Sequence, residues 1–425
     1  MNGRKSLDYL YGLQTFGMKL GLNNIRTLHT RLGCPSDQYR TVLIAGTNGK
    51  GSTASTLAEI LRQGGVRTGL YTSPHLHCFT ERIRLDGIPV EFDTLEPLID
   101  ELRQIGSDLP LTFFEFTTVL ALEIFRRNRV EVAILEVGMG GCLDATNVVS
   151  PSLCVVTPIA FDHQAYLGAT LEAIAGEKAG IMRNGVPVVI SKQQPEALTA
   201  LCRAAEKCGA EPVVAGDDFT YLSDDERMDY RGLDCSLDNL RPALAGAHQQ
   251  ANMAVALAAS EILRRQGVTL QDANLADGIA SVFWPGRLEW SGSDPKVLLD
   301  GAHNGDSARA LAEYLADSGY CRVHWLVGMK KDKSILDIMQ PLLGLAVTLY
   351  CVEPPIEEAL PVSELVRIAS EAGVLSIVSC ASVEEGVTAA RNACSADEIV
   401  LAAGSLFLVA AVRELLEREK PTFAF

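Results

Sequence analysis

The chain has 425 residues with 53 acidic against 37 basic side chains, and its formal net charge of −16 argues against a nucleic-acid partner while leaving room for a local basic pocket. With 48% hydrophobic residues and no low-complexity stretch, an ordered protein is expected, and the length suggests two domains rather than one core. The 11 cysteines are dispersed and form no CxxC pair, which fits reduced interior residues in a cytoplasmic protein, and neither the opening MNGRKSLDYLYGLQTFGMKLGL nor any later run reads as a signal peptide or membrane span.

The first forty residues read as a helical preface ending near the turn-rich GCPSDQ stretch. Residues 41–45 are then a strand candidate that runs into a glycine-rich loop and a helix beginning near Ser52. Further strand candidates fall at 68–71, 132–136, 153–157 and 187–190, with helices at 55–64, 114–127, 170–179 and 195–208. This alternation is what a layered, mostly parallel sheet requires. Residues 212–245 are acidic and polar, consistent with excursions or short antiparallel strands, and a helix over 248–265 follows.

The Trp284-Pro285-Gly286-Arg287 turn then marks a boundary, giving an N-terminal domain over 1–285 and a C-terminal domain over 286–425. Beyond it, strand-like 297–300, 322–328, 346–352, 374–379 and 399–403 alternate with helix-like 305–317, 332–342, 360–372 and 382–393, and a last helix follows Gly404-Ser405. The expected fold class is α/β: an N-terminal P-loop-like domain with a mostly parallel sheet, and a smaller C-terminal Rossmann-like α/β domain.

Gly46-Thr47-Asn48-Gly49-Lys50-Gly51-Ser52 is the strongest short signal. Its glycines permit tight curvature, its amides and the helix start can cradle phosphate oxygens, Lys50 can neutralise charge there, and Ser52 can offer a hydroxyl to magnesium. The loop is shorter than the general P-loop, and a structural strand-to-helix turn is the alternative. Glu136, at the end of a buried strand candidate and before the Gly140-Gly141 pair, is a candidate magnesium ligand or a strand-terminating acid. Asp162-His163, after VVTPIAF, sits where an open sheet presents reactive side chains, and Ser73 before Pro74 either shapes a turn or offers its hydroxyl.

The segments AGTNGKGS, YTSPHL, ERIR, EVGMGG, LDATN, DHQAYLG, EKAGI, HQQAN, PGRLE and DGAHN, in this order, resemble the folylpolyglutamate synthase and dihydrofolate synthase family, itself related to the Mur ligases. The resemblance implies ATP and Mg2+ as cofactors, with K+ as an additional ion, and Ser73, Glu136 and His163 as magnesium ligands. It also implies a carbamylated Lys178 approaching a second magnesium, with Asp162 in support. Asn252, with Gln249 less favoured, and Arg287, Asp300 and His303 are implied at the nucleotide, the second domain supplying its half of the pocket. Phe79, Arg82, Phe114 and Asp144 are candidates for the folate side, although Phe113 and Phe114 equally suit core packing.

The implied reaction is phosphorylation of a substrate carboxylate by ATP, followed by attack of the L-glutamate amine on the acyl phosphate. The carboxylate belongs to dihydropteroate or to a reduced folate, and a monomer with neither nucleic-acid nor membrane partner is expected. His75 in TSPHL favours the dihydrofolate synthase activity. Two departures stand out: Cys142 occupies the place of the usual family arginine, and Gly305-Asp306 follow Asn304 where proline is common. A polyglutamylation-only enzyme, a Mur-like ligase with another substrate, and a non-catalytic ATP-responsive protein remain alternatives.

Overall fold

Arg40–Ala45 (β1) is buried from its second residue on, as are Val132–Glu136 (β5) and Leu153–Val156 (β6) along their whole lengths. Continuous apolar runs of this kind belong to parallel strands covered on both faces. In the computed structural model, which describes residues 3–13, 21–224, 226–291 and 295–418, they form the centre of an eight-stranded sheet. Its other members are Thr68–Tyr71 (β2), Ile83–Leu85 (β3), Ile88–Pro89 (β4), Pro187–Ile190 (β7) and Glu211–Val214 (β8). The order is β4-β3-β2-β5-β1-β6-β7-β8, with β3 and β4 antiparallel and the rest parallel. Both edge strands carry a proline, Pro89 and Pro212, which removes a ladder donor and discourages pairing with another chain.

The expected helices appear as Lys50–Gln63, Phe113–Arg127, Leu171–Ala179, Pro195–Cys208 and Ala247–Arg265. Two more, Phe92–Ile105 and Asp272–Ser281, were not read from the sequence. The second of these approaches the phosphate-loop helix closely: a β-carbon on Gly278 would run into the Ile60 backbone. Of the expected N-terminal preface, residues 1–2 and 14–20 lie outside the described residues, while Gly3–Gly12 and Asn23–Arg31 are helical.

The polar stretch begins with β8, the last parallel strand, and continues as an antiparallel sheet of Thr220–Ser223 (β9), Met228–Arg231 (β10) and Ser236–Leu240 (β11). The buried Glu261 carboxylate pins its turn. It accepts the Tyr230 hydroxyl at 2.6 Å and the amides of Leu233, Asp234 and Cys235 at 3.1, 2.7 and 2.9 Å.

Two compact units result: Met1–Ala243 with Gln249–Phe283, and Leu244–His248 with Trp284–Phe425. The short excursion of Leu244–His248 into the second unit has no counterpart in the sequence reading. The second unit is built on Glu289–Ser291 (β12), Val297–Asp300 (β13), Val323–Val327 (β14), Ala346–Cys351 (β15), Ile377–Ser379 (β16) and Ile399–Ala403 (β17). The order is β12-β13-β17-β14-β15-β16, with only β12 antiparallel. Neighbouring strand residues go to opposite faces: Leu298 and Leu401 enter one core with Trp325, whereas Leu299 and Val400 enter the other with Leu408 and Val412. Both faces are therefore covered, as a doubly wound sheet requires.

Candidate active site

The carboxyl ends of β1, β2, β5 and β6 carry the loops that the sequence singled out, the position at which open parallel sheets bind ligands. Gly46 leaves β1 with φ 149°, and a β-carbon there would collide with the Thr157 hydroxyl. Thr47 and Asn48 donate their amides to the Pro158 carbonyl at 2.9 and 3.2 Å, and Thr47 Oγ1 bridges the amide and carbonyl of Ala160 at 3.1 Å each. The first half of the loop is thus fastened to the segment after β6. The amides of the helix start lie beyond this fastening.

Gly49 caps that helix with φ 84° and no side-chain cap, and Thr53 is the first residue to donate back, to the Gly49 carbonyl. The amides of Lys50, Gly51 and Ser52 precede it and belong to the uncapped first turn, which favours an anion. Asn252 is buried against this turn: a β-carbon on Gly49 would strike its amide, and its Nδ2 donates to Gln249 Oε1 at 3.1 Å.

Two lysines converge below the loop. Lys50 Nζ donates to the Gly46 and Thr47 carbonyls at 3.1 Å each, and Lys178 Nζ, at the end of helix Leu171–Ala179, donates to Gly46 O at 2.9 Å. Burial lowers the Lys178 amine to about 7, the Lys50 charge adding to the effect while Asp162 and Asp144 oppose it.

Sheet order brings Ser73 and Glu136 together, because β2 lies beside β5 with Tyr71 opposite Leu135. The Ser73 amide donates to Glu136 Oε2 at 3.1 Å, and Glu136 in turn neighbours Ile44 of β1. His163 follows β6 in the left-handed region, φ 49°, with its amide on Asp162 Oδ1 at 2.9 Å and its imidazole 3.8 Å from Asp162 Oδ2. Ser52 is buried in the first turn of the phosphate-loop helix. Among the described residues no three His, Cys, Asp or Glu side chains gather to hold a metal by themselves. The Ser52 and Ser73 hydroxyls and the Glu136 carboxylate are hard oxygen donors, of the kind a divalent cation takes while keeping other positions for water and phosphate.

A second cluster lies beyond Ser73. Glu81 winds the loop before it, accepting the amides of Leu76, His77 and Cys78 at 2.9, 2.9 and 2.8 Å. Arg82 is buried, donates from Nε to His75 Nδ1 at 2.8 Å and lies 5.2 Å from the Phe113 ring centre. Accepting at Nδ1 leaves the His75 proton on Nε2. Burial, followed by the Arg82 charge, brings this imidazole down to about 4, so it is neutral at ordinary pH. Phe79 stands edge-on to both His75 and Phe113, and Phe114 packs over Gly138 and beside Tyr71. Sequence reasoning missed Glu81 as the pivot of this region. The charge sits inside the ERIR motif, but nothing local says that it folds back on the preceding amides.

Asp144 is buried and holds its own loop: its oxygens accept the Met139 and Thr146 amides at 2.9 Å each and the Thr146 hydroxyl at 2.5 Å. Burial raises its pKa. The glycine pair beside it packs on the end of helix Leu171–Ala179, where a β-carbon on Gly141 would meet the Glu177 and Lys178 carbonyls. Cys142 donates its amide to Glu177 O at 3.1 Å while its side chain is exposed.

In the second unit, Asp300 ends β13 with each oxygen on a backbone amide, Leu288 at 3.0 Å and Ala302 at 2.9 Å. Gly301 makes room for the Arg287 guanidinium, which a β-carbon would strike. His303 Nδ1 lies 2.8 Å from Gly301 O, and His248 is half-buried nearby, its pKa lowered by desolvation with Asp300 opposing and Arg287 adding. Asn304 caps helix Gly305–Asp317, accepting the Ser307 amide at 3.0 Å. The missing family proline therefore leaves a well-formed helix start.

Models of the Mur ligase middle domain and of the Mur ligase glutamate ligase domain match residues 44–260 and 286–406. The dihydrofolate synthase/folylpolyglutamate synthase of Bacillus subtilis is 32% identical over 435 residues, covering 96% of this chain and 98% of that protein. The structure of Escherichia coli FolC in complex with DHPP and ADP superposes with a TM-score of 0.90 at 32% identity, covering 98% of each chain. A bifunctional folylpolyglutamate synthase/dihydrofolate synthase with Mn, AMPPNP and L-glutamate bound gives 0.88 at 30% identity, covering 97% of this chain and 98% of that one.

Proposed function

The chain belongs to the folylpolyglutamate synthase/dihydrofolate synthase family of Mur-type ligases, and on that premise we propose how its own residues perform the ligation. It is an ATP-dependent ligase that joins L-glutamate to dihydropteroate and to reduced folates. The observation that carries the assignment of the site is the joining of the Ser73 amide to Glu136 beside a phosphate loop whose Gly46 carbonyl receives both Lys50 and Lys178.

The uncapped amides of Lys50, Gly51 and Ser52 take the nucleotide phosphates, with Asn252 packed behind Gly49 to hold the turn in shape. The amine of Lys50, which donates to the Gly46 and Thr47 carbonyls, is assigned to the group being transferred. Ser52, Ser73, Glu136 and His163 are the residues that would hold Mg2+, which supplies charge neutralisation on that phosphoryl group. Arg287 and His303 of the second unit are assigned to the nucleotide, with Asp300 holding the turn that carries Arg287.

A carboxylate oxygen of the pterin substrate forms a bond to the terminal phosphorus as ADP leaves. The glutamate nitrogen then bonds to the acyl carbon, inorganic phosphate departs, and the ammonium proton is lost to solvent or base. Phe79, Arg82, Phe114 and the loop held by Asp144 are assigned to the pterin substrate, where the buried Arg82 cation suits its negative charge.

Lys178 fits carbamylation: a buried amine brought down to about 7 is neutral often enough to add to carbon dioxide, losing a proton as the N–C bond forms. The product is an anion in place of a costly buried cation. All 11 cysteines are free, and among the described residues no helix is long and apolar enough to cross a membrane.

The test is mass-resolved product formation with ATP, Mg2+, L-glutamate and either dihydropteroate or tetrahydrofolate, with K+ supplied or omitted. Addition of one glutamate to both is expected. Addition to tetrahydrofolate alone narrows the enzyme to polyglutamylation, and addition to neither overturns the assignment.

A further inference from the structure

The turn that presents Arg287 is strained on both sides of that residue. Gly286 and Leu288 have φ of 69° and 46°, and for a leucine this left-handed conformation costs about 1 kcal/mol or more unless the surroundings impose it. Two carboxylates impose it here. Asp300 accepts the Leu288 amide, and Glu289 accepts the Gly286 amide at 2.8 Å. Gly301 closes the turn from below, donating its amide to Gly286 O at 2.9 Å and lying under the Arg287 guanidinium.

Asp300 is fixed by its place at the end of a central strand. Glu289 begins β12, an edge strand, and its carboxylate is held by a residue far along the chain. Arg413 Nε reaches its two oxygens at 3.0 and 3.2 Å, with side-chain exposures of only 18% and 14% for the pair. Arg413 stands on helix Leu406–Arg418, whose Leu408, Val409, Val412 and Leu416 are locked into the second unit's core.

We propose that Arg413 is a positioning residue for Arg287, acting through the Glu289 carboxylate and the Gly286 amide, so that the C-terminal helix sets where the guanidinium meets the nucleotide phosphates. The inference rests on the assignment of Arg287 to ATP. A merely structural ion pair behaves differently: its loss reduces the amount of folded enzyme and scales kcat without moving KM.

The experiment is steady-state kinetics with ATP varied for Arg287→Ala, Arg413→Met, Arg413→Lys and the Arg287→Ala/Arg413→Met pair. Arg413→Met is expected to raise KM for ATP by about three- to tenfold with a smaller change in kcat, in the direction set by Arg287→Ala, and Arg413→Lys to recover part of it. The double variant should be no worse than Arg287→Ala, because Arg413 acts only through that residue. An unchanged KM in Arg413→Met, or losses that add in the double variant, overturns the proposal. Should Arg413→Met fail to fold, Glu289→Gln keeps an oxygen for Gly286 but loses the charge that holds Arg413; it should shift KM the same way, and a KM equal to the parent's overturns the proposal equally. If Arg287→Ala itself leaves KM for ATP unchanged, the assignment of Arg287 falls and takes the inference with it.

Discussion

Lys50 and Lys178 donate to the same carbonyl oxygen, that of Gly46, from 3.1 and 2.9 Å. Burial disfavours the Lys178 cation, and the Lys50 charge on the same acceptor adds to that. The Lys178 amine falls from 10.5 to about 7, so at pH 7 the unfolded chain binds a proton that the folded one holds only part of the time. The unfolded state binds more protons throughout this interval, so stability contributed at this position rises as pH climbs from about 7 towards 10.5.

Lys178→Met removes that penalty, whose upper bound is on the order of 4 kcal/mol. In carbon dioxide-depleted buffer, where the parent amine is unmodified, the variant should be more stable than the parent at pH 7, by about 1–3 kcal/mol after packing losses, and the advantage should shrink by pH 10. Ligase activity should nonetheless collapse. Thermal unfolding at the two pH values, beside product formation, checks both; a variant less stable at pH 7 would mean that the lysine is not a strained cation. Parent enzyme labelled with carbon-13 bicarbonate should show a carbamate resonance that Lys178→Met lacks.

Glu136→Gln keeps an oxygen for the Ser73 amide and so preserves the contact between the ends of β2 and β5. It removes the one carboxylate among the proposed magnesium ligands. Folding should be little affected, kcat should fall by about 100-fold or more, and more Mg2+ should be needed for half-maximal rate. Mg2+ titration of the activity decides, and an unaltered metal requirement moves the ion elsewhere.

How far the site was legible differs from residue to residue. The phosphate loop declared itself because glycine, lysine and serine act over a few consecutive positions. From their own residues Glu136 read as a strand end and Ser73 as a turn residue, and only the family resemblance put them at one magnesium, since their meeting depends on β2 lying beside β5. Helix Phe92–Ile105 carries Pro97, and helix Asp272–Ser281 carries Gly278, residues that weaken a helical pattern unless a neighbour requires them. Pro212 hid β8 for the opposite reason: proline is excluded from strand interiors but suits an edge. Asp300 and Asp144 were legible as acids at loop starts, yet their backbone amide partners are set by turns that only the folded chain displays.

Gly49→Ala tests the first turn of the phosphate loop. The position has φ 84°, and the added methyl would strike Asn252, so the substitution forces both backbone strain and displacement of a buried amide. A cost of about 1–3 kcal/mol is expected, appearing as weaker ATP binding and a lower unfolding temperature. Adding Asn252→Ala clears the clash but not the strain, so the pair should recover stability only in part. Isothermal titration with a non-hydrolysable ATP analogue gives the comparison, and full recovery would show that backbone conformation is unimportant here.

Cys142→Arg restores the cation that the resembling family carries at this place. The backbone there is tightly held, its amide on Glu177 and its Cα and Cβ where a β-carbon on Gly180 would lie, but the side chain beyond Cβ is exposed. A longer side chain can therefore be added without moving Gly180 or the adjoining Lys178 helix. A guanidinium two residues before Asp144, in the loop assigned to the pterin substrate, should strengthen binding of its carboxylates, whereas the neutral thiol contributes no charge. The expected result is a KM for the pterin substrate lower by about three- to tenfold, with KM for ATP unchanged and the effect weakening as salt is raised. Initial rates with dihydropteroate and tetrahydrofolate as alternative substrates would show which of the two gains more. If neither KM falls, the cysteine is a neutral replacement, and the acid-binding side of the pocket rests on Arg82 instead.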